Sequence, residues 1–345
     1  MSQVVEQFSY VCVAVINWNG RRFLPRCFDS LHRLDYPSVS LVLVDNGSDD
    51  GSVEFVREHY PDVKIVANRK NLGFCRACNQ GLVEAMKAGA KYVVLLNNDT
   101  EVDRRWISEL VRAAEQNPRV GALSSKILFM EPRNFINSTG LCCTIIGNGW
   151  DTGIGQPDGD EWNKRAAVIG VSGCALFLRT DAVRRVGLLP NFDIYLEDMD
   201  ICLRLWNAGY EIAYVPTAVL YHHFSATMSD RANVLRKEYL NARNRFRLIL
   251  RQFPLAQFPR IAVNLVKWEA KAVGKPIKQR EYRKALAEIL AIFATILYVP
   301  DALVERSRQL LSGRWRCRFW DMIDTERGFF EGFVLPEFSS NDGVE

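Results

Sequence analysis

Between residues 10 and 121 the chain alternates short, wholly apolar runs with longer amphipathic ones, and few folds accept that pattern. Strand-like runs at 10–16, 41–44, 63–66 and 92–96 are followed by helix-like segments at 22–33, 52–60, 74–88 and 104–116. Strands apolar on both faces and separated by amphipathic helices predict a parallel sheet covered on both sides. Such doubly wound α/β sheets bind ligands beyond the carboxyl ends of their strands. Polar clusters fall there: Asn17-Trp18-Asn19-Gly20 after the first strand, residues 45–51 (DNGSDDG) after the second, Asn97-Asn98-Asp99-Thr100 after the fourth. Any one of them makes an ordinary strand-to-helix turn. Three on one rim favour a ligand site.

The rim excludes some chemistry. No G-x-G-x-x-G follows the first strand and no G-x-x-x-x-G-K-[ST] occurs anywhere, which argues against dinucleotide oxidoreductases and P-loop enzymes. Carboxylates and amides suit ribose hydroxyls, a uracil-type base or a divalent ion, and Asp99 is the candidate ion ligand. A divalent ion is useful when a nucleoside diphosphate leaves, because developing negative charge needs a countercharge. A second cluster, Glu197-Asp198-Met199-Asp200, opens a helix-like segment. Acidic residues in a first turn suit the helix dipole, yet three carboxylates in four residues also repel, which raises a pKa toward that of a general base. His222 and His223 follow an apolar strand and point to opposite sides of it, so one of them is a candidate second metal ligand.

Beyond the sheet pattern, a Gly-, Asn- and Asp-rich stretch over 131–167 has little periodicity and reads as a variable loop or hairpin insertion. Strands are expected at 168–178 and 212–215, with a helix from 181 between them. The nine cysteines lie scattered in apolar runs and do not suggest a disulfide framework, which favours a reducing cytosol. Cys75 and Cys78 have C-x-x-C spacing but lack partners for zinc, and read as packed core. No signal peptide is evident at the N-terminus. The longest apolar run, 289–299, is too short to span a bilayer core of about 30 Å, so no membrane crossing is expected.

The formal net charge of +4 hides an asymmetry: residues 231–320 hold 20 Lys/Arg against 6 Asp/Glu. From Leu235 a helical stripe passes Tyr239, Ala242, Phe246, Ile249 and Phe253, with Arg236, Arg243, Arg247 and Arg251 on another face. Such a helix either lies on an anionic membrane or packs on the preceding domain with a solvated basic face. Residues 314–320 (RWRCRFW) interleave cations with aromatics, a pattern that can stack on nucleic acid; an anionic lipid surface explains the same charge, and no nucleic acid partner is expected.

The motifs together resemble family 2 glycosyltransferases of the GT-A fold, and among them the bacterial rhamnosyltransferase-type enzymes of cell-surface polysaccharide synthesis. The resemblance rests on residues 15–20 (VINWNG), 44–52 (VDNGSDDGS), Asn71-Leu72-Gly73, Ala77-Cys78-Asn79-Gln80-Gly81, 95–100 (LLNNDT), Gly173, 195–204 (YLEDMDICLR), Gly209-Tyr210 and 222–225 (HHFS), and covers about residues 10–250. It implies a mostly parallel, doubly wound GT-A sheet in a catalytic domain over 1–228, with a basic helical extension over 229–345. It implies a nucleotide-sugar donor, dTDP- or UDP-linked and with rhamnose the first choice, held by Asn17, Asp45, Asn46, Asn71, Gly73, Asn79, Asn98 and Asp99. Mn²⁺ or Mg²⁺ is implied at Asp99 and His222, with His223 the fallback. The family's D-x-D motif stands here as Asn97-Asn98-Asp99, without its first carboxylate. Asp198 matches the base of inverting members, with Glu197 beside it, acting on a hydroxyl of a glycan or lipid-linked acceptor at the cytoplasmic membrane face. A sugar nucleotidyltransferase and an inactive, binding or scaffolding homologue are the alternatives.

Overall fold

The computed structural model describes residues 8–223, 231–311 and 317–324. Its strands are β1 (Val11–Asn17), β2 (Val39–Asp45), β3 (Lys64–Ala67), β4 (Tyr92–Asn97), β5 (Thr100–Val102), β6 (Val120–Phe129), β7 (Ile136–Ser138), β8 (Leu141–Cys143), β9 (Gly149–Asp151), β10 (Ala166–Ala167), β11 (Ala175–Arg179) and β12 (Glu211–His222). Its α-helices are α1 (Leu24–His32), α2 (Ser52–His59), α3 (Phe74–Lys87), α4 (Trp106–Gln116), α5 (Thr180–Val186), α6 (Glu197–Asn207), α7 (Arg231–Gln252), α8 (Phe258–Lys278) and α9 (Tyr282–Leu311).

The main sheet runs β10-β12-β6-β11-β4-β1-β2-β3, with β5 on β12 and β7 on β6. Its N-terminal half is parallel, as the alternation predicts: β1 lies between β2 and β4, and β3 beyond β2. The register sets Asn17 opposite Asp45 and Ile16 opposite Asn97, so the polar ends of three strands stand level on one rim. All of β1 is buried, and its alternate residues feed two cores: Val11, Val13 and Val15 pack with α1 and α4, while Cys12, Ala14 and Ile16 pack with α3 and α6. Gly81 brings α3 close to β1, since a Cβ there would stand 2.7 Å from that of Ala14.

The second half is mixed. β11 is antiparallel to both β4 and β6, while β6 and β12 are parallel. The strand expected at 168–178 forms only from Ala175. Gly170 and Gly173 break it, because Gly170 O turns to the amide of Leu141 and Gly173 N–H to Asp198. The insertion over 131–167 takes its hairpin form: β8 pairs with β9, and β7 with β6.

The C-terminal region is not a separate body. Leu248, Ile249 and Phe253 of α7, Ile261 of α8, and Phe319 and Ile323 lie in the same hydrophobic cluster as α3 and α6. Much of the arginine face of α7 meets the sheet domain: Arg243 donates to Phe192 O and Arg251 to Asp200, while the exposed Arg236 pairs with Asp193. The 228/229 boundary, Phe224 and Ser225, and residues 314–316 of the cation–aromatic run lie outside the described residues.

The apolar run at 289–299 belongs to a longer element. Pro300 lies inside α9, which spans 30 residues in all and is long and apolar enough to cross a membrane by length and composition. Its packed face is small or charged (Ala285, Glu288, Ala291, Thr295, Ala302, Arg306), while Phe293, Ile296, Leu297, Leu303 and Val304 point outward.

Gly81→Val should overpack the α3–β1 contact and cost about 1–3 kcal/mol in urea unfolding.

Candidate functional site

The rim is stitched by side chains acting on one another. Asn17 Nδ2 donates to Asp45 Oδ2 at 2.8 Å, Asn98 Nδ2 donates to Asn17 Oδ1 at 2.5 Å, and Ser48 donates to Asp45 through both its amide and its hydroxyl. Asp45 is therefore buried beneath the loop it organises. Asn46 reaches the next turn, donating to Asn71 Oδ1 and accepting from Leu72 N–H and Asn68 Nδ2. Gly73, at φ 91°, lies against Asp193, where a Cβ would stand 2.3 Å from its Oδ1. Asn79 stands apart from this network. Both ends of its amide bind the Leu189 backbone, at 2.9 and 3.0 Å, so it staples α3 to the segment after α5.

Asp99 and His222 come together although 123 positions separate them, because β5, which follows Asp99, pairs with the end of β12. His222 Nε2 stands 3.4 Å from Asp99 Oδ1. The other ring nitrogen, Nδ1, is 2.8 Å from Asn137 Oδ1, an oxygen that can only accept, so Nδ1 carries a hydrogen. Burial alone lowers the imidazole pKa, but Cys174 and Asp99 pull the other way and leave it raised. Asp99 Oδ1 is buried without a hydrogen-bond partner. An oriented imidazole facing an unsatisfied carboxylate oxygen suits a divalent cation, with Asn137 holding the ring as outer partners of metal ligands do. Among the described residues no group of three or more His, Cys, Asp or Glu side chains converges to hold a metal. The pair therefore suits an ion that completes its shell with water and substrate oxygens, as Mg²⁺ does in phosphate sites.

His223 lies on the other side of the strand. Its N–H donates to Asp99 O, its ring packs near Phe23, and it edges a cavity of about 250 Å³ with Arg22, Arg26, Asp99, Thr100 and Met130.

Asp198 begins α6, where Gly173 N–H and Met199 N–H donate to its two oxygens at 2.8 and 2.7 Å. Burial pushes its pKa up to about 6, against those two hydrogen bonds and with the Asp151 carboxylate adding to the rise. Burial, then Asp198, pushes Glu197 well above the carboxylate range. Asp200 behaves differently from the expected repelling trio: Arg251 and Arg204 outweigh its burial and lower it. Desolvation, more than carboxylate crowding, thus prepares Asp198 to accept a proton.

The approach to α6 is strained. Asp193, Tyr195 and Leu196 have φ of 70°, 76° and 64°, a left-handed region costing about 1–2 kcal/mol per non-glycine residue.

Asp151 and Asn137 join the site from the insertion, where sequence reasoning found nothing to decode. Burial raises the Asp151 carboxyl, with Ser138, Ser172 and His222 beside it pulling the other way, and its charge adds to the rise at Asp198. Asp99 Oδ1, Asn137 Nδ2, Asp151 Oδ1 and Glu197 Oε2 are all buried without hydrogen-bond partners, a concentration that marks a ligand site. The only signal of Asn137 and Asp151 in sequence is polarity inside a glycine-rich stretch.

The sequence profile of the family described as glycosyl transferase family 2 matches residues 12–184. The N-acetylglucosaminyl-diphospho-decaprenol L-rhamnosyltransferase of Mycobacterium tuberculosis is 29% identical over 246 residues, covering 65% of this chain and 79% of that protein. Among solved structures, the mannosyltransferase PcManGT of Pyrobaculum calidifontis, in complex with GDP-Man and Mn²⁺, superposes with TM-score 0.50 at 19% identity, over 89% of this chain and 77% of that one. GalNAc-T7 with UDP, GalNAc and Mn²⁺ gives 0.52 at 15% identity, over 79% and 58%.

The Asp198 assignment has a direct check. Carboxyl-carbon NMR of the free protein should show an aspartate titrating near pH 6, and that titration should vanish in Asp198→Asn.

Proposed function

The chain belongs to glycosyl transferase family 2, and on that premise we propose that it is an inverting enzyme using Asp198 as base on an acceptor hydroxyl. Its GT-A sheet and family membership make it a glycosyltransferase. The observation that carries the finer reading is Asp198 itself, a half-buried carboxylate at the start of α6 whose pKa desolvation pushes up to about 6. Asp198 takes the hydroxyl proton as the acceptor oxygen attacks the anomeric carbon, and the bond from that carbon to the diphosphate oxygen breaks. The nucleoside diphosphate departs, and configuration at carbon inverts.

We assign the nucleoside half of the donor to the rim at Asn17, Asp45, Asn46 and Asn71, with Asp45 acting through the loop it holds. The cavity edged by Arg22 and Arg26 beside Asp99 suits the diphosphate. Asp99 and His222 would hold the divalent ion, Mn²⁺ or Mg²⁺, and when bound it supplies positive charge to the leaving diphosphate. The mycobacterial relative's name specifies rhamnose and a diphospho-polyprenol acceptor; by that likeness the donor is a dTDP- or UDP-sugar, with dTDP-rhamnose first, and the acceptor a lipid-linked glycan in cell-surface polysaccharide synthesis.

A lipid-linked acceptor places the enzyme at the cytoplasmic face of a membrane, and the outward face of α8 and α9 is the surface we assign to it. Val263, Val266, Phe293, Ile296, Leu297 and Leu303 are exposed there. Arg260, Lys267, Lys271, Lys275, Lys278, Arg280, Arg283 and Arg308 are exposed around them, against Glu281 and Asp301. Small residues packed inward and large apolar ones turned outward are the pattern of a helix facing lipid. Contact with α7 from Ala285 to Arg306 favours α9 lying along the surface rather than crossing it.

Three outcomes test these assignments. Asp198→Asn should lower turnover about 10²–10⁴-fold. Calorimetric titration with UDP and dTDP should give binding that needs Mn²⁺ or Mg²⁺ and that Asp99→Ala abolishes; metal-independent binding refutes the ion assignment. Anionic vesicles at low salt should sediment the wild type but not Phe293→Asp/Leu297→Asp, and wild type left in the supernatant would refute the lipid face.

A further inference from the structure

We propose that α7 is a positioning element of the active site, and that Asn244 and Arg251 hold Asp198 where it can act on the acceptor. The proposal rests on reading Asp198 as the base, but no part of α7 lies within residues 12–184, which the family profile matches. The helix touches the two ends of the segment that carries the base.

On the N-terminal side, Asn244 is fully buried, and its Nδ2 lies 3.0, 2.8 and 2.9 Å from the carbonyl oxygens of Phe192, Ile194 and Tyr195. Arg243 adds a hydrogen bond to Phe192 O at 2.6 Å. These carbonyls interleave with the left-handed residues Asp193, Tyr195 and Leu196. Such backbone persists only where its surroundings over-determine it, and a side-chain amide gathering three carbonyls does so. Two further contacts hold the same segment: Cys75 N–H donates to Asp193 O, and Arg236 pairs with Asp193.

On the C-terminal side, Asp200 stands two residues past the base. It accepts from Arg251 Nε at 2.9 Å and Gln252 Nε2 at 3.0 Å, both on α7, and from Arg204 Nε at 2.8 Å within α6. Asp198 is thus bracketed by two anchors on one helix, which fix the first turn of α6 against Gly173 N–H.

Loss of the Asn244 anchor frees residues 192–196 to relax and lets the first turn of α6 drift from Gly173. The acceptor oxygen and the base then lose alignment, and water reaches Asp198. The titratable groups facing Asp198 are Glu197 and Cys202 on its own helix, Asp151 on β9 and Cys78 on α3. The variants remove none of them.

The experiment compares Asn244→Ala and the near-isosteric Asn244→Leu with wild type, with Leu248→Ala as a packing control on the same helix and Asp198→Asn as the base control. Nucleotide titration counts folded sites, and kcat is expressed per folded site. Both Asn244 variants should keep nucleotide affinity and lose about 10- to 100-fold in kcat, the scale of a misplaced catalytic group. The ascending limb of the pH–rate profile, near pH 6 in wild type, should move down toward an ordinary carboxylate. Leu248→Ala should lower the melting temperature without moving that limb. Unchanged kcat and pH limb in the Asn244 variants, with Asp198→Asn inactive, would overturn the positioning role alone. An active Asp198→Asn would instead sink the base reading, and this inference with it. Should neither Asn244 variant fold, Arg251→Lys carries the same test, because it keeps the charge opposite Asp200 but not the guanidinium geometry.

Discussion

Asp200 is a carboxylate with no solvent exposure, and the arrangement around it ties α6 to the rest of the molecule. A buried charge is tolerated only when paired and hydrogen-bonded. Here Arg204 supplies one partner from the next turn of α6, and Arg251 and Gln252 supply two more from α7. Arg204 also donates to the carbonyls of Val186, Gly187 and Leu188, so the same guanidinium closes the turn after α5. Three elements therefore meet on one carboxylate. Removing one partner of such a group typically costs about 3–5 kcal/mol, because the other charge is left buried, so α6, α7 and the 186–188 turn move together or not at all.

That dependence explains where the positive charge of the C-terminal third goes. The arginines of α7 look in sequence like a basic stripe for solvent or lipid, yet several are consumed by carbonyls and carboxylates of the catalytic core. Arg245 pairs with Glu269 of α8 and lies 3.9 Å from Glu288 of α9, and Arg306 of α9 donates to Leu250 O and Phe253 O at the end of α7. Buried ion pairs and helix-end hydrogen bonds thus bind the three helices beside the apolar side chains of Leu248, Ile249, Phe253 and Ile261. The large apolar side chains of α9 are left outside. On α9 the packed face is small or charged while the large apolar side chains face outward, the reverse of the usual partition of a soluble helix; the arginines of α7 dock on the enzyme, whereas the cations of α8 and its turn stay exposed.

Much of the sheet was legible because its signal is periodic. Each strand and helix expected between residues 10 and 116 forms within about two residues of its expected bounds, a margin usual at element ends, and the rim falls where strand ends must place it. What escaped lacks a period. Asp151 and Asn137 sit on short strands of a glycine-rich insertion, and only the fold brings them to His222 and Asp198. The strand at 168–178 reads as one apolar run, but Gly170 and Gly173 spend their backbone groups elsewhere. The apolar run at 289–299 reads as too short to span a bilayer, yet α9 extends it through Pro300 to 30 residues. Asn79 shares a motif with donor-side residues, but its amide matches the backbone of Leu189, a pairing no local pattern encodes.

The middle position of the Asn97-Asn98-Asp99 motif belongs to this set of constraints. Asp45 can only accept hydrogen bonds, so it takes the amide nitrogen of Asn17, which leaves Asn17 Oδ1 turned toward position 98 as an acceptor. A donor is needed there, and Asn98 supplies it. A carboxylate at 98 would face that oxygen with no proton between them, and the chain from Asp45 through Asn17 to Asn98 would break. The rim is therefore held by amides, with Asp99 the carboxylate at its open end. On the proposed assignment, a site bringing one carboxylate and one imidazole to a cation would leave most of the coordination to water and phosphate oxygens, which would couple ion binding to the arrival of the nucleotide.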